Sequence, residues 1–188
     1  VPVQLSSTNA DGKAVTNAEY FITMQDKDGV ELTLPRQINT SAADKAPTVY
    51  IDKGTYNIYS HFKQDANTYF LTETNKAVTD KATLNFDAAN SGQVSVGNVE
   101  GSKLENAVLY LYNDDVSNIF GSSEVLTGQQ FFVTPGDYQY IIDAEIADTE
   151  GQENWIYVFA NNKHTATVEQ GKHTEVHVGS SLDISHFD

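Results

Sequence analysis

Hydrophobic and polar residues alternate over most of the chain, which is the period of β-strands that bury one face. The segment 18–24 shows it clearly, since its apolar positions two residues apart are Ala18, Tyr20, Ile22 and Met24. A helical period is hard to find. The best place for a short helical turn is 115–128, although Gly121 and the pair Ser122-Ser123 interrupt it. The pattern therefore predicts an all-β chain.

The same pattern occurs twice along the chain. Gly12-x-x-Val15-x-Asn17-Ala18-x-Tyr20-x-Ile22 returns 89 positions later as Gly101-x-x-Leu104-x-Asn106-Ala107-x-Leu109-x-Leu111. Each copy then has a strand, a glycine turn and a second strand, and the turns are Lys53-Gly54-Thr55-Tyr56 and Pro135-Gly136-Asp137-Tyr138. A fixed-period repeat indicates a duplicated structural unit. In both copies we expect the glycine to form the turn and the tyrosine to enter the core.

The repeat predicts two domains. We expect a β-sandwich over residues 1–91, a second one over residues 92–180, and a tail or linker over residues 181–188. Each copy of about 90 residues holds six or seven short strands, and an open sheet of that size would leave an apolar face in water. The expected fold is therefore two tandem antiparallel Greek-key β-sandwiches, transthyretin-like or immunoglobulin-like.

The two copies differ in length at two places. The first copy has seven extra residues between Met24 and Val49, and the second has six extra residues in the acidic run Asp143 to Glu153. Loops accept insertions more readily than strands do, so we expect loops at both places. Because the shared residues are explained by the scaffold, residues 25–48 and 143–155 are where a function would lie.

The order Asn9-Ala10-Asp11-Gly12-Lys13-Ala14-Val15-Thr16-Asn17-Ala18, an alternating strand and the turn Lys53-Gly54-Thr55-Tyr56 resembles two related families. These are the carboxypeptidase regulatory-like domains and the B-type repeats of collagen-binding surface proteins, and the second copy matches through 101–107 and 135–138. The resemblance implies a transthyretin-like (prealbumin-like) sandwich. It also implies a spacer, stalk or accessory module attached to a secreted peptidase, an adhesin or a transporter.

Some B-type repeats contain an internal Lys–Asn isopeptide bond, and the resemblance raises that question here. The first copy offers only Lys13, in a turn, and Asn85, which alternation places on the solvent face between Leu84 and Phe86. The second copy has no asparagine in its last strand. The reaction needs a desolvated acid beside both partners, so we expect no such bond.

The charge of the chain excludes several partners. Lys and Arg number 11 against 26 Asp and Glu, a formal net charge of −15, which repels phosphate backbones and anionic membranes. The absence of cysteine removes thiol nucleophiles, thiolate metal sites and disulfides. We therefore expect no nucleic acid, no membrane insertion and no cofactor.

A metal site is geometrically possible near the end of the chain. If Lys163 to Val178 forms a hairpin with a two-residue turn at Gln170-Gly171, His164 faces His177 and Glu175 lies diagonal to His164. Two imidazoles and a carboxylate suit a divalent metal, whereas His173 is too far along the strand to join. The alternative is an ordinary exposed strand face, since a slip of one residue removes the arrangement.

Two acidic runs and one tryptophan suggest ligands. The runs Asp26 to Glu31 and Asp143 to Gly151 present alternating carboxylates near a glycine, which calcium could use. Neither completes an EF-hand loop, and Asp28-Gly29 is a strong hairpin turn by itself. Trp155, the only tryptophan, is followed by Ile156 and Tyr157; it could stack on a sugar if exposed, or fill the core if buried.

No catalytic motif is present: the chain has no Gly-x-Ser-x-Gly elbow, no phosphate-cradling loop and no His-Glu-x-x-His. We therefore expect no enzyme and no catalytic, cofactor or metal residues. The sequence favours a non-catalytic accessory, spacer or adhesion module of a larger extracellular or cell-surface bacterial protein with flanking domains, meeting an extracellular protein or carbohydrate. The alternative is a carbohydrate- or calcium-binding module that uses Trp155 and the acidic insertion.

Overall fold

The computed structural model describes residues 1–33, 36–39, 46–97, 103–113, 116–124, 130–147, 153–158 and 165–177. Within these residues the chain forms β-strands and one short 3-10 helix. The strands of the first half are β1 (Pro2–Thr8), β2 (Glu19–Gln25), β3 (Arg36–Asn39), β4 (Thr48–Tyr50), β5 (Gly54–Gln64), β6 (Asn67–Val78) and β7 (Ala82–Asp87). The 3-10 helix, Ala88–Asn90, follows β7.

The second half begins its strands directly after this helix. They are β8 (Gly92–Gly97), β9 (Lys103–Asn113), β10 (Val116–Glu124), β11 (Gln130–Val133), β12 (Gly136–Ala147), β13 (Glu153–Val158), β14 (Thr165–Val168) and β15 (His173–His177). The prediction of an all-β fold is confirmed. In the described part of the chain, no helix has the length and apolar character that crossing a bilayer demands.

The strands form three sheets. One has the order β4-β1-β7, another the order β10-β9-β12-β13 with β14 also paired to β12, and the largest the order β15-β8-β11-β6-β5-β2-β3. Most neighbours are antiparallel, as predicted. Three pairs are parallel: β1 with β7, β8 with β15, and β6 with β11.

The strand pairing of the first half recurs in the second. β1 pairs in parallel with β7 and antiparallel with β4, and β8 pairs in the same ways with β15 and β11. The long strand after the glycine turn lies between two antiparallel neighbours in each half, β5 between β2 and β6, and β12 between β9 and β13. The sequence repeat thus corresponds to a repeat of hydrogen-bonded partners.

The seven-stranded sheet is common to both halves. β11 pairs with β6 from Gln130↔Asn67 to Val133↔Phe70, which joins three strands of the second half to four of the first. Alternate residues of these two strands point into different cores: Tyr69 and Phe132 belong to one cluster, Phe70 and Phe131 to the other. The three-stranded and five-stranded sheets therefore cover opposite faces of a shared central sheet.

The two predicted turn tyrosines occupy equivalent places. Tyr56 and Tyr138 are 5% and 3% exposed, so the prediction that they enter the core is confirmed. Their hydroxyls donate to backbone carbonyls four residues earlier, Tyr56 to Asp52 at 2.7 Å and Tyr138 to Thr134 at 2.5 Å. Each bond ties a strand start to the turn before it, as a tyrosine corner does in other sandwiches.

Two loop predictions are partly wrong. The expected loop at 25–48 contains the strand β3. The stretch 115–128, the best place for a helical turn by sequence, contains the strand β10 in its described part, whose pairing with β9 is shifted around Phe120. Register irregularity absorbs Gly121 and the serines there, and pairing with a long neighbouring strand overrides the weak helical signal. The expected loop at the acidic insertion is also partly strand, because Asp143–Ala147 continue β12 and Glu153 begins β13.

The predicted terminal hairpin is wrong as well. β14 pairs with β12 and β15 pairs with β8, so the two strands lie in different sheets. The turn itself exists: Gly171 has a φ of 71°, and the Lys172 amide donates to the Glu169 carbonyl at 3.1 Å. Ala166, Val168 and Val176 pack into one core from the two facing sheets, which explains why the chain crosses between sheets.

Candidate functional site

The five-stranded sheet has one buried face and one outer face. On β12, Tyr138 and Tyr140 are buried, whereas Asp137 is exposed and Gln139 is half-buried. On β9, Leu109 and Leu111 are completely buried, and Tyr110 between them is half-buried. Because successive residues of a strand occupy opposite faces, the parity of each position assigns it to a face.

The register places polar, aromatic and aliphatic positions together on the outer face. Across β9, β12 and β13, one row of Cα partners is Asn106, Glu145 and Trp155, and the next row is Val108, Asp143 and Tyr157. Further along β9, Tyr110 is opposite Ile141 and Tyr112 is opposite Gln139. We call these ten positions the outer aromatic face.

For Trp155 the described structure gives the strand pairing, while its side chain lies outside the described ones. Trp155 is the Cα partner of Glu145, which lies three positions after Ile142 on β12. The buried residues of β12, Tyr138 and Tyr140, are even-numbered, whereas Glu145 is odd-numbered. Its row therefore lies on the face opposite to the described core. The acidic run contributes Asp143 and Glu145 to the same face, while residues 148–152 lie outside the described residues.

The two-histidine arrangement considered as a metal site is not assembled by strand pairing. Its hairpin register is wrong, His164 lies outside the described residues, and His177 is the partner of Gly97 on β8. Glu175 is exposed opposite Ser95. His173, which the prediction excluded, has its Nε2 2.7 Å from the Ser95 hydroxyl.

The acidic run at Asp26 to Glu31 forms the turn that the sequence predicted. Gly29 has a φ of 81°, and Gln25 bridges to Glu31 across the turn. One Asp26 carboxylate oxygen accepts from the amides of Asp28 at 2.8 Å and Val30 at 2.9 Å. Asp26 thereby shapes the turn, and over the described ranges no group of three His, Asp or Glu side chains is placed to hold a metal ion.

Of the two residues considered for an isopeptide bond, Asn85 has other partners. Asn85 is exposed between the buried Leu84 and Phe86, as alternation predicted, and its Oδ1 accepts from the hydroxyls of Ser6 and Thr8 at 3.0 and 3.2 Å. Lys13 is exposed in a turn whose backbone is held by Asn9.

A pocket of about 440 Å³ lies between the outermost strands of two sheets, β3 and β4. Its lining includes Met24, Thr33, Arg36, Tyr50, Asp52 and Tyr56. Arg36 Nη1 donates to the Tyr50 carbonyl at 3.4 Å, and the Tyr50 side chain is 73% exposed. Burial first, and then the charge of Asp52, raise the pKa of Tyr56.

Sequence reasoning missed this pocket, although the first insertion, 25–48, contributes to it. Arg36 is the only arginine in a chain with a net charge of −15. This single arginine was the sequence feature that could have pointed to the pocket. The pairing of β3 and β4 with different sheets could not be seen from alternation, because both strands are short and the partner of β4, which is β1, is remote in sequence.

Comparisons with known proteins give likeness of fold only. No family model matches this chain, and no curated protein is significantly similar to it. Among solved structures, a DUF3823 family protein from Bacteroides ovatus matches at 14% identity over 85% of this chain and 96% of that one, with a TM-score of 0.31. A protein described as a putative adhesin from Bacteroides ovatus matches at 8% identity over 95% and 92%, with a TM-score of 0.33.

A third solved structure, from Bacteroides thetaiotaomicron, is described as one of the putative polysaccharide binding proteins. It matches at 9% identity over 81% of this chain and 78% of that one, with a TM-score of 0.32. Identities and scores this low do not extend to ligand or activity. The class that the structure defines is an all-β protein of packed sheets.

Proposed function

We propose that the chain is a non-catalytic accessory, spacer or adhesion module of a larger extracellular protein, which we expect to be bacterial. Residues 1–91 and 92–180 would be its two sandwich domains, of the transthyretin-like kind that the sequence resembles, and residues 181–188 a tail or linker. A secreted peptidase or a surface adhesin would be the protein that contains it. The recurrence of strand partners in the two halves supports the division.

The observation that best supports a spacer is the parallel pairing of β6 with β11. It makes one sheet of seven strands, and at a spacing of about 4.8 Å between strands such a sheet extends about 29 Å. Two domains joined by a flexible linker would move independently, whereas a sheet shared between them fixes their separation and orientation. A fixed separation is the property that a spacer or stalk requires.

Pulsed electron spin resonance tests this proposal, and the lack of cysteine makes labelling simple. Spin labels at Thr83→Cys and Thr165→Cys report the distance between exposed sites in β7 and β14. The matched control pair, Thr83→Cys with Thr48→Cys, lies within the three-stranded sheet. We expect distance distributions of equal width for both pairs.

A much broader distribution for Thr83 with Thr165 would overturn the rigid spacer.

The non-catalytic part of the proposal has a separate test, in which the purified chain is incubated with panels of peptides, esters and glycosides. We expect no turnover. Activity that survives repurification and follows the protein peak would overturn this part.

A further inference from the structure

We propose that the pocket between β3 and β4 binds the C-terminal end of a peptide whose last residue is apolar. Arg36 receives the terminal carboxylate, and the apolar part of the lining receives the last side chain. The inference goes beyond the proposed function, which assigns no ligand to this pocket, and it holds whether or not the two halves are rigidly joined.

The pocket lies where the edges of two sheets face each other. β3 is the end strand of the seven-stranded sheet, and β4 is the end strand of the three-stranded sheet. Arg36, the first residue of β3, donates from Nη1 to the carbonyl of Tyr50, the last residue of β4, at 3.4 Å. The pocket volume of about 440 Å³ equals that of about fifteen water molecules in the liquid. This is within the range of ligand sites.

The lining offers an apolar surface to a side chain. Ile22 is buried there, and Met24 and Ile51 are half-buried. The methyl group of Met24 lies over Gly54, since a Cβ added at Gly54 would be 2.6 Å from Met24 Cε. A methionine side chain is unbranched and adapts to partners of irregular shape. The pocket can therefore accept apolar residues of more than one shape.

Exposed apolar side chains lie at the same place. Among the described residues, the large hydrophobic side chains that are exposed are Val30, Leu32 and Tyr50. Tyr50 lines the pocket. Gln25 bridges to Glu31 across the turn. The next pair is Met24 and Leu32, whose amide donates to the Met24 carbonyl at 2.7 Å, and side chains of such cross-strand pairs share a face. An exposed apolar patch beside a pocket marks a site of interaction.

Arg36 carries the charge that a carboxylate needs. It is the only arginine of the chain, and none of the ion pairs between described residues includes it. Its bond to the Tyr50 carbonyl uses one of the five N–H donors of the guanidinium. The other donors can form the bidentate pair that a guanidinium makes with a carboxylate.

The remaining charges favour a ligand with one negative charge over a ligand with two. Asp52 also lines the pocket, and the chain has a net charge of −15. Both oppose a phosphate or sulfate group more strongly than a single carboxylate. A cationic ligand is repelled by Arg36 as much as it is attracted by Asp52. The site therefore suits a monocarboxylate with an apolar body.

The backbone of β4 favours a peptide over a free organic acid. The Ile51 amide donates to the Val1 carbonyl at 3.0 Å, and the groups that bond to a neighbouring strand alternate along an antiparallel pair. The amides and carbonyls of Thr48 and Tyr50 therefore point away from β1, at the edge of the sheet. An extended peptide can bond to such an edge while its terminal carboxylate is captured, and both are recurring modes of peptide recognition.

The single methionine gives a site-specific readout, because Met24 lines the pocket and the chain has no other methionine. The full chain, isotope-labelled at the methionine methyl group, is titrated by NMR with the peptide Ac-Gly-Gly-Phe, with its C-terminal amide, with hydrocinnamate and with inorganic phosphate. We expect a saturable shift of the Met24 methyl resonance with the peptide acid. The amide should bind at least about tenfold more weakly, because a hydrogen bond to a charged group is lost.

Hydrocinnamate has the ring and the carboxylate but not the peptide backbone, so it separates the two sources of a carboxylate. We expect it to bind more weakly than Ac-Gly-Gly-Phe, because it cannot bond to the edge of β4. Inorganic phosphate should bind more weakly than either, since it has no apolar part and more negative charge.

A charge-matched pair of variants locates the carboxylate. Arg36→Gln should weaken binding of Ac-Gly-Gly-Phe at least about tenfold. Arg36→Lys keeps the charge but not the planar fork, so it should lose less. Lys81→Gln removes one positive charge from an exposed position between β6 and β7. It is the matched control and should bind like the wild type.

Two further variants guard against a folding defect as the cause of weaker binding. Asp52→Asn removes a negative charge from the lining and should tighten binding about threefold, the size of an interaction between charges several ångströms apart in water. Tyr50→Ala removes an exposed ring of the lining and should weaken binding about fivefold, as loss of an aromatic contact does.

Five results would overturn the proposal: no shift with the peptide acid, equal binding of acid and amide, hydrocinnamate binding as tight as that of the peptide, tighter binding of phosphate, or equal losses in Arg36→Gln and Lys81→Gln. Each leaves the spacer test untouched, because the labelled positions in β7 and β14 do not line this pocket. A rigid chain that binds no peptide would therefore refute this inference and keep the proposed function.

Discussion

Phe132 of β11 stacks face to face on Tyr69 of β6, with ring centroids 4.6 Å apart and an interplanar angle of 7°. Tyr69 stacks in turn on Phe62 at 4.4 Å. Phe132 is the one described residue of the second half in the core between the three-stranded and seven-stranded sheets. Parallel pairing aligns it with Tyr69 in register, so the second half completes the core of the first.

Removing the Phe132 ring should destabilise the first half although Phe132 belongs to the second. Phe132 is 5% exposed, and Phe132→Ala should lower the free energy of unfolding by about 3–5 kcal/mol, the range for a buried Phe truncated to Ala. Urea unfolding followed by circular dichroism measures this. Tyr50→Ala, at an exposed position, should change it by less than about 0.5 kcal/mol. A similarly small loss for Phe132→Ala would contradict the shared core.

The turn tyrosine of the first half should make the protein sensitive to alkali. Burial, and secondarily the Asp52 charge, raise the pKa of Tyr56 above its ordinary value of 10.0. A pKa raised by folding means that the folded state holds its proton more tightly, so the associated stability is complete below the unfolded pKa. That stability is lost as pH rises through the raised pKa.

Tyr56→Phe tests this dependence. Between neutral pH and pH 10.0 the variant should be about 1 kcal/mol less stable than the wild type, because the bond to the Asp52 carbonyl is lost. Above that pH the difference should shrink, since phenylalanine has no proton to lose. Unfolding curves at several pH values measure both effects, and a constant difference at all pH values would disprove the alkaline effect.

Alternation alone predicted much of the scaffold but not the partners of its strands. The tyrosines two residues after Gly54 and Gly136 were correctly expected in the core, because turn glycine and alternation are local signals. The pattern of Ala166, Val168 and Val176 fits a hairpin as well as a crossing between sheets. Only long-range packing distinguishes the two, so the metal site built on that hairpin had the wrong geometry.

At the candidate site, too, the sequence identified residues but not the strand pairing that brings them together. The sequence pointed to Trp155 and the acidic insertion by comparing unequal copies, but a side chain at a strand position can belong to either face. Only the partnership of Glu145 with Trp155 and of Asp143 with Tyr157 assigns them to one face. Tyr110 is on the same face because it is the Cα partner of Ile141 on β12. The two residues are about thirty positions apart, so no local sequence pattern predicts their pairing.

Gly92, where the second half begins, should not accept a side chain. A Cβ there would lie 2.5 Å from the Glu169 carbonyl oxygen and would collide with the Val168 side chain. Gly92→Ala should cost about 1–3 kcal/mol, as overpacking does. At Gly136 the nearest atom to an added Cβ is 3.6 Å away, so Gly136→Ala is the matched control and should cost less. Thermal unfolding compares them, and equal melting temperatures would mean that β8 can move away from residues 168–169.

Asn9 closes the turn that precedes β2, and its side-chain oxygen, Oδ1, accepts two hydrogen bonds. Buried at 2% exposure, it accepts from the amides of Asp11 at 2.9 Å and Lys13 at 3.0 Å. Asn9→Ala leaves both amides without that acceptor and should cost about 1–3 kcal/mol. Asn17→Ala, whose amide makes an exposed bond to the Lys63 carbonyl, should cost less than about 0.5 kcal/mol. Urea unfolding measures both, and equal losses would show that water replaces the Asn9 oxygen.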